Sequence, residues 1–252
     1  MKLKSISFLI GLIAGIFGGL VGLGGGVVMI PLMVGFLKLS QHKAHGTSLV
    51  ALVFTGLSGA ITYALKGSID IAASLLLATT AIFTARAGAH YAHALPEWKL
   101  KRAFGAFLIF VSALLLMKPY LSGIVGSTTD FVRIIVLLTT GVLTGFLSGM
   151  MGVGGGTIMV PAVVLLVGFG QHTAQGISLF AMIPAGGVGA VTHWSLGNVT
   201  TDLLIGLIPG ILLGTYLGGN LAHLLPDNVL RVIFAMVTIW TGFRYVKTPA
   251  SD

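Results

Sequence analysis

One stretch of this chain occurs twice, 130 residues apart, and it is a stretch that a continuous helix accommodates poorly. Gly15 to Pro31 lies over Gly145 to Pro161 with 8 of 17 positions identical. The register then holds without a gap. Gln41 and His42 match Gln171 and His172, Gly46 and Ser48 match Gly176 and Ser178, and Gly67 matches Gly197. Further on, Gly88 matches Gly218, His93 matches His223, and Leu95-Pro96 matches Leu225-Pro226. Self-similarity at one fixed offset means two copies of one structural unit. At the heart of each copy stand three successive glycines, Gly24 to Gly26 and Gly154 to Gly156. Such a run loses much backbone entropy in a helix and readily leaves helical φ/ψ.

What surrounds the glycines decides the solvent. Charged residues make up 8% of the chain, against roughly 25% in an ordinary soluble domain, and apolar residues 56%. Mean hydropathy is +1.03. The few charges gather at the ends of long apolar runs, as bilayer-spanning helices require. The sequence therefore predicts an all-α polytopic membrane protein of two four-segment repeats forming one integrated transport domain. Repeat 1 (1–125) holds apolar segments at about 4–37, 45–65, 71–94 and 101–118, and repeat 2 (126–252) at about 132–168, 175–195, 202–224 and 229–246. Most are near the ~20 residues that cross a bilayer. The first of each repeat is too long and is broken at its glycines into two half-helices. The basic, then apolar start resembles a signal peptide, but the same segment recurs inside the chain, so it is expected to be retained.

A broken segment either crosses or turns back, and Lys/Arg placement distinguishes the two. If both cross, the count is seven inside against six outside; if both are re-entrant, it is nine against four. The second arrangement inverts the repeats, places the termini in the cytoplasm of a multi-pass inner (plasma) membrane protein, and obeys the positive-inside rule better. The net charge of +8, with 14 Lys+Arg against 6 Asp+Glu, is read as this topology signal and not as a nucleic-acid footprint. Cysteine is absent, which excludes disulfides and thiolate chemistry.

Irregular backbone at membrane depth is tolerated where protein buries it or where it lines a wet cavity. Paired unwound stretches in two halves point to a central transport site. Each is followed by a half-helix, beginning near Val27 or Thr157, whose N–H groups and dipole favour an anion. The competing reading is that the glycines only permit close helix packing, as Gly11/Gly15/Gly19, Gly141/Gly145/Gly149 and Gly206/Gly210/Gly214/Gly218 do. Candidate substrate-binding residues are thus Gly24, Gly25, Gly26, Val27, Gly154, Gly155, Gly156 and Thr157. Ser48 and Ser178 join them as hydroxyl donors, and Gln41, His42, Gln171 and His172 as gates or loop-closing caps. Arg86 sits mid-segment, where a cation needs a cavity or a partner unless it snorkels to the interface. His193, which matches Tyr63, reads as an interfacial residue. No catalytic constellation is present, and the chain is read as a non-enzyme without metal or cofactor.

The doubled Gly22 to Pro31 and Gly152 to Pro161 motif, each followed by Gln-His and Gly-x-Ser, resembles the TauE/SafE sulfite-exporter family over nearly the whole chain. The resemblance implies a bacterial or archaeal inner-membrane carrier of sulfite or related sulfur anions and organosulfonates. Thiosulfate carriers of a related but distinct family rely on cysteines, which this chain lacks. The expectation is a secondary transporter of a small anion by alternating access; the histidines are the candidates for a coupling proton, and the sequence does not show which ion couples. A passive anion channel and a non-transporting membrane scaffold or assembly partner are the alternatives.

Overall fold

The structure is a computed structural model that describes residues 2–91, 97–121 and 130–248. The 125/126 repeat boundary, His93 and Leu95-Pro96 lie outside these residues, as does the side chain of Gln41. The elements are α1 (Lys2–Val21), α2 (Gly26–Leu37), α3 (Gln41–Leu65), α4 (Ile71–Tyr91) and α5 (Glu97–Leu121). They continue as α6 (Asp130–Met151), α7 (Gly156–Ala162, prolonged by a π-helical turn over Val163–Val167), α8 (Gln171–Ser195), α9 (Thr201–His223) and α10 (Asp227–Val246). Seven of them are long and apolar enough to cross a membrane. Large apolar side chains such as Phe83, Leu143 and Ile205 stand exposed on the outside, where lipid would cover them.

The long first segment of each repeat breaks where the glycines predict. α1 ends at Val21 and α2 starts at Gly26; α6 ends at Met151 and α7 starts at Gly156. Gly22, Gly24 and Gly25 have positive φ, as do Gly152 and Gly154, a region that costs a side-chain-bearing residue about 1–2 kcal/mol. The returning half-helices close alike: Leu39 N–H bonds to Met33 O, and Phe169 N–H to Val163 O. The left-handed residue at that closure is Gly168 in one repeat and Lys38 in the other.

Glycine ridges set the helix pairing, and the pairing is exchanged between repeats. A Cβ on Gly11 would lie 2.4 Å from Leu207 O, on Gly15 2.7 Å from Ile211 O, and on Gly19 2.3 Å from Thr215 O. The numbers rise together, so α1 and α9 run parallel with their backbones touching. α6 does the same with α4: Cβ atoms on Gly145 and Gly149 would meet Ala81 O at 2.2 Å and Ala85 O at 2.1 Å. Each repeat's opening helix is thus packed against the other repeat's α4-type helix. Matching helices meet in the opposite sense. Gly46 of α3 packs against Asn198, just beyond α8, while Gly56 packs against Leu179 of α8. Gly105 of α5 packs against Gly242 of α10, and Ser112 and Thr238 share a 2.6 Å hydrogen bond. Both pairs are antiparallel.

These directions fix where α2 goes. α9 begins beside the end of α8, which is the face where α3 begins; α1 runs parallel to α9, so α1 and α3 begin on one face. α2 must therefore return to the face that α1 left, and by the same steps α7 returns to the face where α6 begins. Below, the face where α1 begins is the near face and the opposite one the far face.

Candidate functional site

The two broken stretches meet inside the bundle. A Cβ on Gly26 would lie 2.8 Å from both Gly152 O and Val153 O, and one on Gly156 2.2 Å from Gly22 O and 2.8 Å from Leu23 Cα. Each half-helix thus starts against the other repeat's unwound backbone. Leu52 and Met182, themselves 130 residues apart, flank the crossing. Leu52 reaches the Cβ positions of Gly24 and Gly154, and Met182 those of Gly24 and Gly156. Intrahelical bonding begins with Val28 and Met29 donating to Gly25 O, and with Ile158 and Met159 donating to Gly155 O. The N–H groups of Gly26, Val27, Gly156 and Thr157 therefore head their helices at the crossing, where a helix has no internal acceptors for them. A tight cavity beside them, roomy enough for about one water, is lined by Thr144, Ser148, Gly154, Gly155, Leu52 and Met182 among others.

The serines hold the loops. Ser178 Oγ donates to Gly22 O at 3.1 Å, and Ser48 Oγ lies 2.7 Å from Gly152 O and 2.8 Å from His45 O. Both are fully buried. The Ser178 proton is thus engaged with the backbone of the opposite repeat, and the single Ser48 proton goes to Gly152 O or to His45 O, which gives these hydroxyls a positioning part in this state. Ser48→Ala leaves the buried Gly152 carbonyl without its donor, a loss of about 1–3 kcal/mol. We expect a thermal midpoint lower by several degrees, read by unfolding of the purified protein; an unchanged midpoint would show that the bond contributes nothing.

The two Gln-His pairs differ. Gln171 is fully buried with its side-chain amide lacking a hydrogen-bond partner among the described residues, whereas His42 is exposed at the start of α3. His172 pairs with Asp227, whose carboxylate also accepts from Gln171 N–H at 3.0 Å and so caps α8. His172 Nε2 is 3.1 Å from Ala222 O, and its ring lies 5.0 Å from that of His223, which in turn contacts Ser68 Oγ at 3.1 Å. Arg86 is exposed on the outside of α4 toward its near-face end, as is His90. That placement fits a snorkelling cation.

Other residues of the crossing escape a reading by motif. His193 and Tyr63 are not interfacial: they are 1% and 0% exposed, because the antiparallel docking of α3 and α8 encloses them. Tyr63 donates to Gly19 O at 2.9 Å or to Gln175 Oε1 at 2.8 Å; His193 Nε2 lies 3.3 Å from Gly149 O. Gln175, buried, backs Gly22, and its matching residue His45 backs Gly152. Thr144 Oγ1, beside the small cavity, is buried without a hydrogen-bond partner among the described residues. The common signal is position: each of these pairs keeps the 130-residue offset while changing residue type.

The chain matches known proteins along most of its length. The family model described as Sulfite exporter TauE/SafE matches residues 7–245. The "Probable membrane transporter protein YunE" of Bacillus subtilis (strain 168) is 28% identical over 263 residues, covering 96% of each chain. The "Probable membrane transporter protein YdhB" of the same strain is 27% identical, over 92% of this chain and 94% of the relative. The "Probable membrane transporter protein MJ0441" of Methanocaldococcus jannaschii is 24% identical, over 94% and 93%. No solved structure matches the chain.

Proposed function

Because the chain belongs to the TauE/SafE sulfite exporter family, and so is a membrane transporter, we propose that its cargo is a small anion, sulfite or a related sulfur oxyanion or organosulfonate, carried across the inner membrane by alternating access. The observation that carries this reading is the crossing of the two unwound stretches. N–H groups of Gly26, Val27, Gly156 and Thr157 supply donors there without a fixed positive charge, which suits an oxyanion that must be released again. Leu52 and Met182 keep the crossing dry, which strengthens each such bond.

In this reading the repeats are inverted. Support comes from the antiparallel α3/α8 and α5/α10 pairs and from the return of α2 and α7 to the faces they left. The near face is cytoplasmic: it carries Lys4, Lys38, Lys43, Arg102, Arg244 and Lys247, against Lys66, Arg133 and Arg231 at the far face.

The test is counterflow in proteoliposomes loaded with sulfite, with labelled sulfite outside and sulfate, thiosulfate or a sulfonate as competitor. The expected result is a transient, saturable overshoot, suppressed by anions the site accepts. A flux without overshoot would indicate a channel, and no flux of any of these anions from folded protein would sink the sulfur-anion reading.

A further inference from the structure

Among the described residues the two faces of the molecule differ. On the near face a cavity of about 500 Å3 opens among α2, the end of α6, the start of α3 and the end of α10. Its residues include Pro31, Val34, His45, Met151, Arg244 and Lys247, and none of the described residues lining it is acidic. Arg244 and Lys247 are exposed at the mouth, whereas His45 is 7% exposed at the floor. The floor is continuous with the crossing: Met151 precedes Gly152, and a Cβ on Gly152 would lie 2.9 Å from His45 O.

Among the described residues the matching positions of the other repeat are more closely packed. Pro161, Val164, Gln175 and Val21 correspond to Pro31, Val34, His45 and Met151; all four are buried, whereas Pro31 and Val34 are half-buried and only His45 and Met151 are buried. Val21 and Val164 belong to one apolar core with Val160, Val163 and Leu115, while Gln175 is tied to Tyr63. Leu114 and Met117 occupy the positions matching Arg244 and Lys247, and Lys118 the position matching Thr248.

We propose that the near-face cavity is an anion-collecting vestibule, a binding site for small inorganic or sulfonate anions, and that the structure is the state whose central crossing opens only to the near face. The proposal deepens the anion-carrier reading and rests on it. A cleft with cations at its mouth and no carboxylate among the described residues lining it raises the local anion concentration, and its low-dielectric walls focus the field. Arg244 and Lys247 gather the anion, and His45 is the innermost polar side chain lining the cavity before the glycines. Opening on one face while the matching path is packed is the asymmetry that alternating access requires.

The chain has no cysteine, so single thiols report access directly. Gly35 lines the vestibule, and a Cβ there meets nothing within 4 Å, so Gly35→Cys should be accommodated; Val34→Cys is the second reporter. In detergent-purified protein both are treated with an anionic sulfonatoethyl methanethiosulfonate and with its cationic trimethylammonium analogue. Each reagent forms a disulfide with the thiolate and releases methanesulfinate, and the ratio of the two rates cancels any change in thiol ionisation. We expect that ratio to fall about tenfold when Arg244→Gln and Lys247→Gln are added. Val164→Cys, at the matching far-face position, should react far more slowly with either reagent. A ratio indifferent to the two cations, or equal labelling at Val34→Cys and Val164→Cys, overturns the proposal. Labelling does not require transport. A saturable sulfite counterflow with a flat ratio would keep the carrier and remove the vestibule; a falling ratio without counterflow would do the reverse.

Discussion

Gly156→Ala is expected to cut anion counterflow by at least about tenfold in a protein that still inserts and elutes as a folded species, while Gly187→Ala leaves both properties intact. The added Cβ at position 156 would lie 2.2 Å from Gly22 O and 2.8 Å from Leu23 Cα. Both are backbone atoms, so no rotamer relieves the contact and the two unwound stretches must separate. Gly156 has no positive φ, so backbone conformation is not the cause. Overpacking of this kind costs about 1–3 kcal/mol. That is small beside the stability of the bundle but large at a site where 1.4 kcal/mol is about tenfold in rate. At Gly187 a Cβ meets nothing within 4 Å, and alanine in a helix should gain roughly 0.5–1 kcal/mol. Counterflow and thermal unfolding of both variants decide the matter. Normal transport by Gly156→Ala would mean that the crossing is not where the anion passes.

Gly210→Val is expected to be more damaging, because it acts on assembly and not on the passage. Its Cβ would stand 2.2 Å from Phe8 O and 2.9 Å from Leu12 N, and the neighbouring turns at Gly206 and Gly214 are as close. Lipid tails are as apolar as the helices, so association depends on this intimate packing together with interhelical hydrogen bonds such as that from Ser58 Oγ to Leu212 O. Forcing α1 and α9 apart forfeits contact along a whole ridge, and the cost should exceed about 3 kcal/mol, the upper part of the overpacking range. The measurement is the yield of monodisperse protein in mild detergent, with Leu213→Val on the exposed side of the same helix as the matched change. Near-normal yield of Gly210→Val would show that the helices have room that the structure denies them.

Much of this was legible in the sequence because glycine has few reasons to be abundant in a membrane helix. The triplets located both breaks to within a residue or two, and the 130-residue register placed α3 with α8 and α2 with α7. The start of α3 is earlier than the apolar segment beginning near 45, since Ser40 accepts from Lys43 N–H and lets the polar Gln41-His42 pair open the helix. Helix pairing was less legible. The ridge of Gly206, Gly210, Gly214 and Gly218 announces a close neighbour but not which one, and its partner lies nearly the length of the chain away. Gln175 and His45 were invisible for a different reason. A repeat is noticed through identical residues, and these occupy equal places with unequal chemistry. Arg86 shows the limit of depth as a guide: its position in a span is informative only with the helix's rotation, which burial reveals and composition does not.

The exchange of opening helices between the two repeats bears on how the chain is made. When α1 leaves the ribosome, the glycine-ridged face that it will bury has no counterpart; α9 is synthesised roughly 200 residues later, about 10–40 s at ordinary elongation rates. α6 waits for nothing, because α4 precedes it. The first helix should therefore depend on the insertion machinery or on lipid for shelter throughout that interval, and a nascent chain stalled before α9 should be a substrate for membrane proteases in a way that one stalled after it is not.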